Sequence, residues 1–369
     1  MKNYKMNEIC TVVTDYVANG SFASLKQNVE YLKQPNYARL IRLVDYHNNF
    51  DKNNAIYISK KSYEFLKKSK IFGGEIIISN VGNIGESFLT PNINMHMSLG
   101  PNCIMIKTNQ IDRYIYYYFQ SDIGKSKLHS LTSGSAIQKF NKTDFKKLEI
   151  SIHEINQQQH IVNILGSLDD KIENNNNIIA QINKLATLFY KEECNKESKV
   201  VSLGDYIKNY DKERKPLSSR ERNSLKKLYP YYGATEVVDF VDNYLFDGDY
   251  VLLGEDGTVI DAQGFPIIQR VNGKFWANNH THILKGINNI DNNILEVVLK
   301  NTNVKSIVTG AVQLKINQSN MNNLKILLPI NLNSLKNKIQ PLFVKRFNLL
   351  NQNKELSKQK RLYLQKFFG

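Results

Sequence analysis

The chain has 369 residues, 41% of them hydrophobic, with a formal net charge of +15 and a pI near 9.4. That is enough chain for two cores, and the excess positive charge predicts a polyanionic partner, double-stranded DNA first. Cys10, Cys103 and Cys194 are too far apart for a disulfide framework or a cysteine metal site, and the lack of an apolar leader or a run of ~18 apolar residues predicts a cytoplasmic protein with no membrane partner.

Residues 1–152 read as a first globular segment. Asp45–Tyr46 and Ile56–Ser59 read as short extended pieces, and Ser62–Lys70 as a helix. Ile76-Ile77-Ile78 is a buried strand, followed by the Gly-rich loop Asn80-Val81-Gly82-Asn83-Ile84-Gly85. Cys103–Lys107 is another strand. Asp112–Ser126 reads as a helix whose Tyr114, Tyr117 and Tyr118 suit a core better than a stacking platform. Leu131–Ser135 is a turn, and Asp144–Ile152 leads into residues 153–197, a long helix.

In that helix Ile161, Leu168, Asn175, Ile182 and Phe189 fall seven apart, with Ile164, Ile178 and Leu185 between them. A seam repeating every 3.5 residues demands a helical partner. Ile161 to Phe189 spans about 42 Å at 1.5 Å per residue. Residues 198–330 form a second globular segment, and residues 331–369 repeat the seam through Ile339, Leu342, Leu349, Leu356, Tyr363 and Phe367. The offset is constant, since Ile161, Asn175 and Phe189 precede Ile339, Asn353 and Phe367 by the same interval. Centre meets centre in an antiparallel pair, which predicts that Asn175 faces Asn353 and sets the register.

The globular segments repeat as well. Tyr250–Leu253 and the Glu255-Asp256-Gly257-Thr258 loop replay the Ile76 strand and its loop. Asn292–Asn301 replays the Tyr-rich helix, and Thr309-Gly310 replays Ser133-Gly134. Lys139, Asn141, Leu148 and Ile150 match Lys315, Asn317, Leu324 and Ile326 at one offset. The expected fold is therefore α/β (α+β): two alike domains joined by two long antiparallel helices forming a coiled coil, with pseudo-two-fold symmetry of the kind duplex DNA also has.

The run from Gln157 to Asn175, above all Leu168-Asp169-Asp170-Lys171-Ile172-Glu173, resembles the central spacer of the specificity (S) subunits of type I restriction-modification systems. Val201-Ser202-Leu203-Gly204-Asp205 resembles the opening of that family's second target-recognition domain. Tyr231–Thr235, Asp247–Gly257 and Thr14–Phe22 are also similar to stretches of such domains. The resemblance implies a subunit without catalysis of its own, reading a bipartite DNA target with one domain per half-site. It implies methyltransferase (M) subunits that modify adenine N6 with S-adenosylmethionine, and restriction (R) subunits that use ATP and magnesium. No cofactor is expected on this chain. In that reading the coil is a ruler, a little over one duplex turn of roughly 34–36 Å. Asp169 and Asp170 are expected to contact the M subunit. A stand-alone two-headed DNA-binding regulator and a nuclease with an unrecognised carboxylate site are the alternatives.

Candidate DNA contacts fall in four places. Ser133, Gly134, Ser135 and Lys139 form one set; Thr309, Gly310, Gln313 and Lys315 form the matching set. Small residues admit a phosphate and lysine supplies charge, although ordinary turns use the same residues. Asn80, Gly82 and Asn83 suit base edges or a plain strand-ending turn. Arg214, Lys215, Arg220 and Lys226 belong to a basic stretch with Lys212, Arg222 and Lys227, suited to the DNA backbone or to a solvated face. His280 and His282 share one side of a strand, but no Cys or carboxylate stands near them at ligand spacing, so no metal site is expected. There is no phosphate-loop motif, and no set of nucleophile, base and orienter is apparent.

Overall fold

In the computed structural model, residues 1–48, 50–52, 54–132, 138–310 and 313–369 are described. Contacts divide the chain into two units, Met1–Glu173 with Asn353–Gly369, and Asn174–Gln352.

In the first unit the apolar runs become two four-stranded sheets. One orders β2 (Cys10–Asp15), β9 (Cys103–Thr108), β6 (Ile76–Ser79) and β7 (Ser87–Leu89), all antiparallel. The other orders β4 (Ile56–Ile58), β3 (Ala38–Ile41), β8 (His96–Leu99) and β5 (Lys70–Ile71), with β3 and β8 parallel. A strand buried on both faces reads as an unbroken apolar run, as β6 does. A separate pair joins β1 (Lys2–Lys5) to β10 (Glu149–Ile152).

Local chemistry overrides several sequence expectations. Asp45 and Tyr46 lie in a helix, Leu43–His47, because the Asp45 carboxylate accepts from the Arg42 backbone N–H at 2.9 Å and caps the turn. The predicted helix over Ser62–Lys70 is a helix at Lys60–Phe65 and a 3₁₀ turn at Lys67–Ser69. The predicted helix over Asp112–Ser126 is two helices, α1 (Asp112–Gln120) and α2 (Asp122–His129). Ser121 separates them, its hydroxyl accepting from the Gly124 N–H at 3.1 Å. Gly124 is essential there, since a Cβ would stand 2.0 Å from the Tyr118 carbonyl. Tyr114, Tyr117 and Tyr118 are core residues.

The long central helix, α3, runs Ile155–Lys196. The second unit repeats the strand plan. β11 (Ser198–Ser202) pairs with β18 (Lys325–Pro329), as β1 pairs with β10. The order β12 (Ile207–Asn209), β17 (Thr281–Gly286), β15 (Phe246–Gly254), β16 (Ile268–Ala277) repeats β2-β9-β6-β7. The hairpin β13 (Tyr229–Tyr232) and β14 (Val237–Val241) extends that sheet, β13 lying parallel to β16. Then come α4 (Asn292–Lys300), the counterpart of α1, and α5 (Leu332–Phe368). Helix α5 continues through Pro341, where buried Leu335, Ile339 and Phe343 hold it to the core.

Helices α3 and α5 pack antiparallel within each unit. In the first, the His160 ring faces Phe367 and Asp169 accepts from Lys360 at 2.6 Å. In the second, Asn183 pairs with Arg346 and Glu192 with Lys338, each at 2.8 Å. Asn175 is buried, and its amide donates to Gln352, the sequence neighbour of the expected Asn353, at 2.8 Å. Asn353 itself belongs to the first unit. The expected seam position Leu185 is exposed; Ala186, Tyr190 and Cys194 are buried instead. This half of α3 presents a broad face to the domain core as well as to α5, so the wider helical period prevails over the 3.5-residue seam. No described helix is long and apolar enough to cross a membrane.

Candidate nucleic-acid interface

Each unit joins its strand-ending loop to a lysine-bearing segment by the same bridge. In the first unit Val81 pairs with Lys139; in the second Asp256 pairs with Lys315. Around the first bridge, the Gly82 N–H donates to Gln138 O at 3.3 Å, and the Phe140 N–H donates to Asn80 O at 3.1 Å. Around the second, the Gly257 N–H donates to Leu314 O and the Ile316 N–H to Glu255 O, both at 2.9 Å. Candidates that were separate in the sequence are thus brought together twice.

The bridge decides which candidates remain accessible. The Asn80 side-chain amide donates to the Phe140 carbonyl at 3.1 Å, so it holds the loop together. Gly82 is exposed at φ +80 with nothing within 4 Å of a notional Cβ, leaving bare backbone beside exposed Asn83 and Lys139. The Asn83 amide reaches Glu86 at 3.3 Å. Ser133, Gly134 and Ser135 lie outside the described residues. In the second unit Thr309 and Lys315 exchange both backbone hydrogen bonds at 2.8 Å, and Thr309, Gly310 and Gln313 are exposed. Gly310 has φ +91, and a Cβ there would lie 2.1 Å from the Gln313 carbonyl.

The acidic loop of the second unit is neutralised from inside the domain. Arg214 donates to Glu255 at 2.7 Å and to the Thr281 carbonyl at 2.8 Å. Lys315 lies 3.2 Å from Asp256. Arg214 is thereby enclosed in its own domain, and Lys315, still partly exposed, is shared by two carboxylates. His282, fully buried, sits below with Nδ1 on Asp211 and Nε2 on the Ile316 carbonyl at 2.7 Å. Both partners are acceptors, an arrangement that favours the doubly protonated imidazolium. Burial pulls its pKa down, but Asp211, the Ile316 carbonyl and Glu255 raise it above the ordinary value. The sequence reading saw no carboxylate near His282; the fold supplies Asp211 and Glu255, which with His282 meet metal-ligand spacing. Arg214 also reaches both carboxylates, so the trio is joined in a network of ion pairs.

The basic stretch divides by pairing. Arg222 is bound to Asp239 at 3.0 Å and lies over the Tyr231 ring, and Lys227 also reaches Asp239. Lys212, Lys215, Arg220 and Lys226 are exposed, and none has an acidic partner among the described residues. The sequence reading missed what lies beside them: Leu228, Val238 and Phe240 expose 62%, 51% and 45% of their surface on and before the β13–β14 hairpin. Alternation in β14 carried that signal, since Val238 and Phe240 point to the same face. A two-stranded ribbon is the width of a major groove, and its apolar side chains can meet thymine methyl groups.

Asp169 and Asp170 face their own domain. Asp169 accepts from the Tyr117 hydroxyl at 2.8 Å and from Lys360 at 2.6 Å; Asp170 accepts from Arg113 at 2.7 Å.

The family model described as a type I restriction modification DNA specificity domain matches twice, over residues 1–184 and 195–366. A Haemophilus influenzae protein provisionally named a type I restriction enzyme specificity subunit is 35% identical over 116 residues, 31% of this chain. The chain spans 29% of that relative's length. The crystal structure of a type I restriction-modification S subunit from M. genitalium covers all of this chain and 96% of its own, at 17% identity and a TM-score of 0.52, which is a likeness of fold.

Proposed function

Because the chain belongs to the type I restriction-modification DNA specificity family, we propose that it is the specificity subunit of such a complex, reading a bipartite DNA target with one half-site per domain. The chain supplies recognition and position. Adenine N6 methylation with S-adenosylmethionine falls to methyltransferase subunits, which must flip the base out of the stack to reach N6. Restriction subunits would add ATP- and magnesium-dependent cleavage, all in the cytoplasm, where the DNA is. The observation that supports this reading is the duplication. Two family domains each offer a loop-to-lysine bridge, Val81 to Lys139 and Asp256 to Lys315, on a strongly basic chain.

The test is to co-express the full chain with the adenine methyltransferase of its host and map N6-methyladenine. Modification of one motif made of two short half-sites with a fixed gap is expected. Methylation of a single continuous motif, or none that depends on this chain, overturns the reading.

A further inference from the structure

The acidic pair of the signature segment borders a joint between the first recognition domain and its helices, Asp169 partly buried and Asp170 at the exposed rim. Arg113 and Tyr117 stand one turn apart on α1, which packs on α3. The Tyr117 hydroxyl donates to Asp169 Oδ2 at 2.8 Å, and Lys360 of α5 donates to Asp169 Oδ1 at 2.6 Å. Both oxygens of one carboxylate are thus used, tying three helices at a point. Arg113 donates to Asp170 at 2.7 Å and to the Tyr117 hydroxyl at 3.2 Å, and reaches the Gly166 carbonyl at 3.4 Å. A glycine inside a helix costs about 1 kcal/mol against alanine. Here it makes room, since a Cβ on Gly166 would press on the Arg113 guanidinium at 3.1 Å.

Apolar contacts of Ile161, Val162 and Leu165 already attach the domain to α3. Such contacts are non-directional. The polar joint adds direction, because a charge-assisted hydrogen bond weakens steeply as donor and acceptor turn away. The second unit makes the equivalent joint with the charges exchanged: Glu296 of α4 receives Arg346 of α5, and Arg346 also reaches Asn183 of α3. Two different chemistries at one place in a duplicated fold argue that the place needs a latch.

We propose that Asp169 and Asp170 are positioning residues that latch the first recognition domain to the helix pair at Tyr117, Arg113 and Lys360, and so set which half-site separation the subunit accepts. This rests on the reading of the chain as a bipartite DNA reader. It departs from the expectation that the pair contacts a methyltransferase subunit.

The test uses the full chain with its methyltransferase and targets whose gap is native, or longer or shorter by one or two base pairs. Asp169→Asn with Asp170→Asn, and separately Lys360→Met on the other helix, are expected to co-purify with the methyltransferase normally. Both are expected to lower the preference for the native gap about tenfold, the scale of one lost charge-assisted hydrogen bond. An equal loss at every gap makes the residues merely structural and overturns the proposal. Loss of co-purification overturns it in favour of a subunit contact, and an unchanged profile overturns it outright. Amide exchange separates this from the wider reading: the variants should speed exchange in α1 and leave β6 and β9 unchanged. If the wild-type chain with its methyltransferase methylates nothing, the functional reading fails, and exchange in α1 still decides whether the latch exists.

Discussion

Arg346 and Glu296 meet fork to fork, Nη1 to Oε1 at 2.6 Å and Nη2 to Oε2 at 2.5 Å, with both side chains buried. Planar guanidinium and carboxylate match in this geometry, which adds direction to charge. Arg270 and Lys300 complete the shell around Glu296. Removing one member of such a buried pair leaves an uncompensated charge, so Glu296→Ala should cost about 3–5 kcal/mol of stability. Replacing both Arg346 and Glu296 by methionine should cost less than the single change. Chemical denaturation of the three variants checks the order.

Acid should find the same pair. Burial alone would raise the Glu296 carboxyl, but Arg346 and Lys300 hold it at about 2, below the ordinary 4.5. A depressed carboxyl contributes stability that is present above 4.5 and lost as pH falls toward 2. Unfolding free energy followed from pH 5 to pH 2 should fall with a slope that Glu296→Gln makes shallower, the rest coming from carboxyls such as Glu193 and Asp239.

His282 predicts the opposite slope. Its pKa is raised, so its contribution is complete below the ordinary 6.5 and is lost as pH rises through the higher folded value. The groups facing the ring are Asp211, Glu255 and the Ile316 carbonyl, with Arg214 and Lys315 on the same carboxylates. Stability of the second unit should therefore decline as pH climbs above 6.5, and His282→Gln should flatten the decline. Its imidazole ¹³C shifts should show the ring losing its second proton at a higher pH than an exposed histidine does.

DNA binding should separate the basic residues that look alike in the sequence. Arg220→Ala and Lys226→Ala should each reduce the slope of log affinity against log salt by about one, with the fold intact. Arg214→Ala should instead lower thermal stability, because its guanidinium is committed to Glu255 and to backbone carbonyls. An unchanged slope for both exposed variants would place the DNA elsewhere.

The thiols give a simple native-state check. Burial pushes Cys10 and Cys103 up to about 12, and burial also raises Cys194. Against about 8.5 for an unfolded thiol, the native thiolate population of the first two at pH 8 is lower by about three orders of magnitude. Native protein should resist a maleimide or disulfide reagent that labels all three in denaturant.

Residues that act through local rules were legible in the sequence. Period and length give the two long helices, although the 3.5-residue seam does not give every buried position, since Leu185 is exposed and Ala186 is buried. The duplicated order of loops gives the two alike domains, and a family signature needs only its own short run. The fold decided what depends on distant partners. Asp211 and Glu255 reach His282 from 71 and 27 residues away, a relation that no spacing rule encodes. Arg214 and Lys226 are equally basic, yet only the packing of β15 and β17 commits one of them to the interior and leaves the other exposed. Asp169 looks like a surface charge on a coil until α1 brings Tyr117 against it. A charged side chain takes its role from what it neutralises, and in this chain most of those partners meet only on folding.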